Sequence, residues 1–372
     1  MFFEAGYAGK STIMTVSLDL TNQDPTTWAT YEDDAEGMAV GSALWDDFFG
    51  HYPCILNDGT ELGKLNTSDF TKYEDGTSAP ITTIGNDVMI AFPRRGIKIV
   101  KSGTTLKVSM TDAENVEGFS YLAHSYKGDE CDKFYLGAYK AYESNSKLYS
   151  VSGQTPTVNQ TIGTFRTKAQ ARGTGYEQSA FFQLTYRQVM YLLKYRGQNA
   201  QIAVGRGFVD ENSAIYGACG YTNDKGMDWG EATGKYPMCL FGLEDFYGNI
   251  YEFIDGIYSN SNRQILVADG NFNDTGSGYT DAGTATFGSN ISGYMQTPNG
   301  TNLAGFTPAS QTYGSETTYF CDYAYVAADR LAYFGGHWNN KSYAGVFRLD
   351  VFQTASAANS YYGARLMYMK TI

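Results

Sequence analysis

Histidine, cysteine and charge are scarce in this chain. Its three histidines, His51, His124 and His337, lie far apart with no motif around them. The five cysteines, Cys54, Cys131, Cys219, Cys239 and Cys321, are odd in number, widely spaced and never arranged as CxxC. Zinc sites draw on Cys and His at short, fixed spacings, so such a site is excluded and buried free thiols are expected. Charged residues make up 18% of the 372, and their balance is acidic, at net −12. An acidic chain without a basic patch repels a phosphate backbone, which excludes nucleic acid as a partner. No apolar run approaches the length that spans a bilayer, so membrane insertion is excluded as well. The opening MFFEAGYAGK lacks the basic start and apolar run of a secretory signal. A chain made in a cytoplasm without a signal peptide is expected, reaching any exterior position by assembly or lysis. Residues 6–12 imitate the end of a phosphate-binding loop, but Glu4 stands where such a loop needs glycine.

Glycine (42) and tyrosine (31) are abundant instead. That pairing suits many turns, much irregular backbone and wet aromatic surfaces. Tyrosine gives a large contact area at little entropic cost, which favours it where one molecule recognises another. The length suggests two or three domains. Residues 1–91 read as a small, mainly β module, with Asp-rich turns between short apolar runs. Residues 45–49 suit a short helix or turn, residues 52–56 a strand, and Asn57-Asp58-Gly59-Thr60 a hairpin turn. Residues 92–372 form the second unit. It opens with a hairpin around Ser102-Gly103-Thr104, and residues 135–142 are a Tyr-rich strand candidate. A helix is predicted over residues 178–196, with Phe182, Tyr186, Met190 and Leu193 on one face and Gly197 at its C-cap. A shorter helix is predicted within 199–208, and long Gly/Asn/Ser/Thr-rich loops follow from Gly256.

Residues 335–365 hold the densest signal. Phe347, Leu349 and Val351 alternate with Arg348, Asp350 and Phe352. A period of two places the first three on a buried face and the last three on an exposed one. The exposed set mixes a cation, an anion and an aromatic, with no theme that folding requires. Farther upstream, Glu244, Asp245, Glu252 and Asp255 form the densest carboxylate cluster. The cluster suits buried hydrogen bonding or a calcium ion better than a general acid/base pair.

The segment resembles the variable region of diversity-generating retroelement target proteins. The resemblance is carried by Gly335-Gly336-x-Trp338-Asn339-Asn340, Ala344-Gly345-Val346-Phe347, Ser356-x-x-Asn359 and Gly363-Ala364-Arg365. Residues 241–253, around Asp245, Gly248-Asn249 and Glu252, are similar to a signature of the formylglycine-generating-enzyme superfamily. Together these landmarks cover residues 92–372. They imply an α+β fold in which a C-type-lectin-like domain follows the N-terminal module. Residues 45–70 and 87–90 are similar to N-terminal modules of phage tail-associated proteins, which implies virion attachment.

In such proteins adenines of AAC codons are randomised. Changing those two adenines reaches the residues at His337, Tyr343, Arg348, Asp350, Phe352, Ala358, Ser360, Tyr361 and Tyr362. Lys341 and Gln353 are not reachable from AAC, though Gln353 is kept with the ligand-binding set. Trp338, Asn339, Asn340, Phe347, Asn359, Gly363 and Arg365 would be the structural frame, with Arg365 paired to an internal carboxylate. The implied role is a phage or prophage receptor-binding protein, not an enzyme. It would bind a host-cell surface protein or glycan, assemble with other tail proteins and form a homo-oligomer, a trimer by analogy. No cofactor is implied beyond a structural calcium. A bacterial protein diversified for its own ligand binding is an alternative. An oxidase of the superfamily's founding type would need a late cysteine pair, which Cys321 lacks.

Overall fold

The structure, a computed structural model, describes residues 11–212 and 214–371. The absent secretory signal and most of the loop imitation at residues 6–12 lie outside the described residues. The chain is mainly β with few helices, where α+β was expected. Among the described residues no helix is long and apolar enough to cross a membrane.

One four-stranded antiparallel sheet runs in the order Ala29–Asp33, Ile13–Asp19, Thr105–Thr111, Gly96–Ser102. A second sheet runs Tyr176–Gln178, Leu366–Thr371, Asp129–Gly137, Asn86–Pro93, Tyr52–Asn57, Thr60–Asn66, Asp69–Tyr73. Both sheets mix strands from either side of residue 91. The expected boundary between 91 and 92 falls inside the strand Asn86–Pro93, whose partners are Tyr52–Asn57 on one edge and Asp129–Gly137 on the other. Residues 13–91 therefore do not form a separate module. The strands Tyr52–Asn57 and Asn86–Pro93 are buried at every interior position, and Asp129–Gly137, which flanks Asn86–Pro93, comes from later in the chain. The Asp-rich turns that suggested a module are surface connections of shared sheets. Asp58 and Gly59, both at positive φ, close the hairpin expected there.

Helix α1 (Leu44–Phe49) leads into the strand Tyr52–Asn57. Helix α2 spans Ile162–Gln170, helix α3 Phe181–Tyr195 and helix α4 Ala200–Ala203. Helix α3 is buried on all sides from Phe181 to Lys194, beyond the single face that the apolar spacing marks. Its polar side chains find partners inside. Gln183 donates to the Ala123 carbonyl at 2.8 Å, Arg187 to the Ser179 hydroxyl at 3.0 Å and Lys194 to Asp46 at 2.6 Å. The helix ends one residue earlier than expected: Arg196, not Gly197, takes the left-handed cap conformation. The Arg196 guanidinium lies 4.5 Å from the Tyr31 ring centroid, which helps hold an unusual cap residue.

The third sheet carries the segment of interest. Its order is Thr280–Asp281, Ile265–Val267, Tyr251–Ser259, Arg330–Phe334, Leu349–Gln353, Tyr323–Val326, Ile291–Tyr294. The short strand Tyr362–Gly363 joins it in parallel beside Tyr251–Ser259. Leu349–Gln353 is thus an interior strand, antiparallel to Arg330–Phe334 and parallel to Tyr323–Val326.

Candidate recognition surface

Four anchors fix the segment before any exposed side chain matters. Gly335 and Gly336 both sit near φ +90°, a conformation that side chains rarely adopt, and a Cβ at Gly336 would lie 2.7 Å from that of Ala344. Helix α4 then holds the loop: Gln201 Nε2 donates to the carbonyls of Lys341 at 2.7 Å and Ala344 at 2.8 Å. Helix α3 does the same through Gln188, which donates to the Val346 carbonyl at 2.9 Å. A Cβ at Gly345 would overlap the Asp322 carboxyl, whose Oδ2 accepts the Phe347 amide at 2.7 Å.

Frame residues occupy the places such a loop needs. Trp338 is buried against Phe208 and Ile250, and its backbone bonds Asn249 and Glu211. Phe347 packs edge-on against Phe320 and Phe306 at 4.9 and 5.2 Å. Asn340 Oδ1 accepts the His337 amide at 2.8 Å, and Asn359 Oδ1 accepts that of Ser360 at 2.7 Å. Asn339 is exposed, and its amide donates to His337 Nδ1 at 3.3 Å. Gly363 is needed because a side chain there would run into Ile250.

Arg365 lies fully buried. It donates to Glu252 Oε2 at 2.8 Å and to the backbone carbonyls of Gly137, Ala138, Glu244 and Asp245. Lys140 and Arg187 close on the same Glu252 at 2.9 and 3.5 Å. Burial alone would raise the Glu252 carboxyl, but Lys140, Arg365 and Arg187 outweigh it and hold it well below the usual range.

The other carboxylates near it are also engaged. Glu244 accepts from the amides of Gly220 and Thr222, Asp245 from Asn249 at 2.7 Å, and Asp255 from Arg166 and Gln178. Among the described residues no group of three or more His, Cys, Asp or Glu is placed to hold a metal ion.

The alternation over 347–352 sets one face against the core, but the opposite face is not open throughout. Arg348 is 6% exposed and Asp350 1%, against an expectation that both are exposed. Asp350 sits between Tyr333 and Tyr325 across the neighbouring strands. Arg348 donates twice to Asp350 Oδ2, at 2.6 and 2.8 Å, and once to the Tyr251 hydroxyl at 2.6 Å. Its guanidinium lies under the rings of Tyr251, Tyr323 and Tyr343, within 5.9 Å of each centroid. Burial works against its charge, yet Asp350 outweighs it and raises its pKa.

Tyr362 is likewise buried, packed on Phe253 and Tyr333, each at 5.4 Å. Arg348 and Asp350 are expected on the surface because a period of two reports which face a side chain takes, not what covers that face; Tyr362 is expected there only because the resemblance counts it among the varied codons.

An exposed set remains. Tyr343 and Phe352 are 44% and 39% exposed. Ala358 and Ser360 are exposed, and His337, Gln353 and Tyr361 half-buried. His337 stacks on Tyr361 at 4.6 Å. Burial, with Arg348 nearby, pushes the His337 imidazole down to about 4, so it is neutral at ordinary pH. Tyr343 meets Tyr294 and Tyr323 at 5.5 and 4.7 Å, and Phe352 meets Tyr325 at 4.4 Å. Beside Ser342 opens a cleft of about 620 Å³ lined by Asn199, Ile202, Arg206, Glu231 and Glu316.

Tyr251, Tyr294, Tyr323 and Tyr325 lie outside the segment, and sequence reading missed them. The Tyr323-Ala324-Tyr325 alternation was the available signal.

Among solved structures the chain is similar to the Major Tropism Determinant M1 variant, with 12% identity over 90% of this chain and 74% of that one, at a TM-score of 0.33. It is also similar to Treponema denticola variable protein 1, with 11% identity over 77% and 98% of the two chains, at 0.35. PvdO from Pseudomonas aeruginosa is a further likeness, with 11% identity over 79% and 100%, at 0.32. The chain's structural neighbours include variable proteins. No family model and no curated protein matches it.

Proposed function

We propose that this chain is a receptor-binding protein of a phage or prophage tail, with a diversified C-type-lectin-like surface that binds host-cell ligands. The carrying observation is the division of labour within residues 335–365. Buried residues such as Trp338, Phe347 and Arg365 hold the backbone, while Tyr343, Phe352, Ser360 and Ala358 are exposed and Tyr361 is half-buried. A preordered loop loses little entropy on binding, so the exposed residues can change without loss of shape. The chain acts by binding rather than catalysis. All five thiols are buried, and burial raises those of Cys219 and Cys239 well above the ordinary range, which suits packing and not redox chemistry. Attachment to other tail proteins, a virion location and a homotrimer complete the reading. Several copies on one tail would turn weak single-site binding into avidity.

The DNA flanking the gene tests it. A near-copy of the codons for residues 335–365, adenine-rich at the exposed positions and close to a reverse-transcriptase gene and tail genes, is the expected result. A locus with neither template copy nor tail genes refutes the reading. On the protein itself, Tyr343→Ala with Phe352→Ala is expected to abolish binding to host cells.

A further inference from the structure

Half of the aromatic face lies outside residues 335–365. Tyr323 and Tyr325 alternate along their strand, so both project on the face opposite buried Ala324 and Val326. Tyr294 ends the neighbouring strand. All three are half-buried, with part of each ring open to solvent. Tyr343 and Phe352 rest directly on them, so a ligand that touches those two meets these three as well.

The hydroxyls of this floor are tied to neutral groups. Tyr294 shares a hydrogen bond with Ser342 at 3.0 Å and Tyr323 with Ser292 at 2.8 Å, while Asn290 Nδ2 donates to Tyr325 at 3.4 Å. Charge enters at the two ends with opposite signs. Arg263 donates to Asn290 at 2.8 Å, and Glu316 lies near Tyr294. The guanidinium beneath the floor is buried, and Asp350 cancels its charge.

Building on the binding role above, we propose that Tyr294, Tyr323 and Tyr325 are fixed ligand-binding residues and that their ligand is a neutral glycan. A pyranose ring presents a face of C–H groups, slightly positive, ringed by hydroxyls. The C–H face fits the negative face of a tyrosine ring. The hydroxyls fit Ser292, Asn290 and the tyrosine hydroxyls, each able to donate or accept. An acidic glycan would call for a free cation at the centre of the floor, where the Arg348 charge is spent on Asp350, while Arg263 at one end is opposed by Glu316 at the other. The rings, tilted to one another at 44° to 74°, offer separate flat facets on which the C–H face of a sugar ring can lie. The fixed tyrosines hold the sugar ring. The varied residues that rest on them, Tyr343 and Phe352, choose among sugars.

The test uses the full chain and cells of the bacterium that hosts the phage or prophage, either untreated, protease-treated or oxidised with periodate, which cleaves the vicinal diols of sugars. Binding to untreated cells that is lost on periodate treatment is the expected result. A Tyr323→Ala/Tyr325→Ala variant should then bind at least tenfold more weakly. If that variant unfolds, Tyr323→Leu/Tyr325→Leu, which keeps the bulk and removes the ring, must show the same loss. Binding that survives periodate overturns the glycan proposal and leaves the receptor-binding role standing, and sensitivity to protease would then identify a protein ligand. Variants that bind as tightly as the parent overturn the assignment of the tyrosines. Absence of binding to any of the cells overturns the receptor-binding role, and this proposal with it.

Discussion

Arg348 and Asp350 are a buried pair, and that changes what variation at either position means. Removing one partner of such a pair strands a charge in a dry site, at a cost of about 3–5 kcal/mol. Arg348→Ala and Asp350→Ala should each lower stability by about that much in denaturant melts, and the double change should cost clearly less than their sum. Additive effects would show that the two do not interact. Tyr343 and Phe352 belong to the other class. Alanine at either position should weaken ligand binding yet shift stability by no more than about 0.5 kcal/mol, as surface changes do. Tyr362→Ala should destabilise by about 3 kcal/mol, because its ring fills space beside Phe253 and Tyr333. Thermal melts of the three variants separate surface from core.

Asp245 gives a pH signature. Burial, with Glu244 beside it, lifts its carboxyl from an ordinary 3.8 to about 7. The folded state therefore holds a proton that the unfolded state has lost between about pH 4 and pH 7, and this group's contribution to stability falls as pH rises through that window. Asp245→Asn removes the effect and keeps an oxygen for Asn249. The melting temperature of the variant relative to the parent should be higher at pH 8 than at pH 5. An equal difference at both values would show that the carboxyl titrates normally.

At the scale of elements, the segment depends on two helices that do not belong to it. Helix α4 is short, yet Gln201 satisfies two loop carbonyls at once. Gln201→Ala leaves both without that donor, which costs about 1–3 kcal/mol if water cannot replace it. The local consequence is the sharper one. Backbone amides of residues 341–346 should exchange with solvent faster, measured by hydrogen exchange, while those of helix α3 stay protected. Unchanged exchange would mean that Gly345 and the Asp322–Phe347 bond hold the loop without help.

At the scale of the whole molecule, the sheets tie the early and late parts of the chain to strands between residues 105 and 137. Ile13–Asp19 pairs with Thr105–Thr111, and Leu366–Thr371 lies beside Asp129–Gly137. A protein cut to residues 92–372 would lose interior strands from two sheets and expose the apolar faces they cover. It should be insoluble or lack a cooperative thermal transition, whereas the full chain melts cooperatively. A truncated chain that folds with a sharp transition would restore the two-module division at residue 91.

Local patterns were legible wherever one strong preference acts alone. The hairpin at Asp58-Gly59, helix α3 within residues 178–196 and the core role of Phe347, Leu349 and Val351 follow from turn chemistry and periodicity, and the pairing of Arg365 with a carboxylate from the resemblance. The resemblance in residues 335–365 marked the segment itself. Tertiary structure alone decided that Arg348, Asp350 and Tyr362 are covered, because covering rings come from other strands, 97 residues away in the case of Tyr251 against Arg348, and at Tyr323, Tyr333 and Phe253. It also decided that residues 13–91 share sheets with the rest, since strand pairing is a long-range choice that no local period records. Sequence fixes which face of a strand is apolar; what lies against the other face is settled only when distant strands meet.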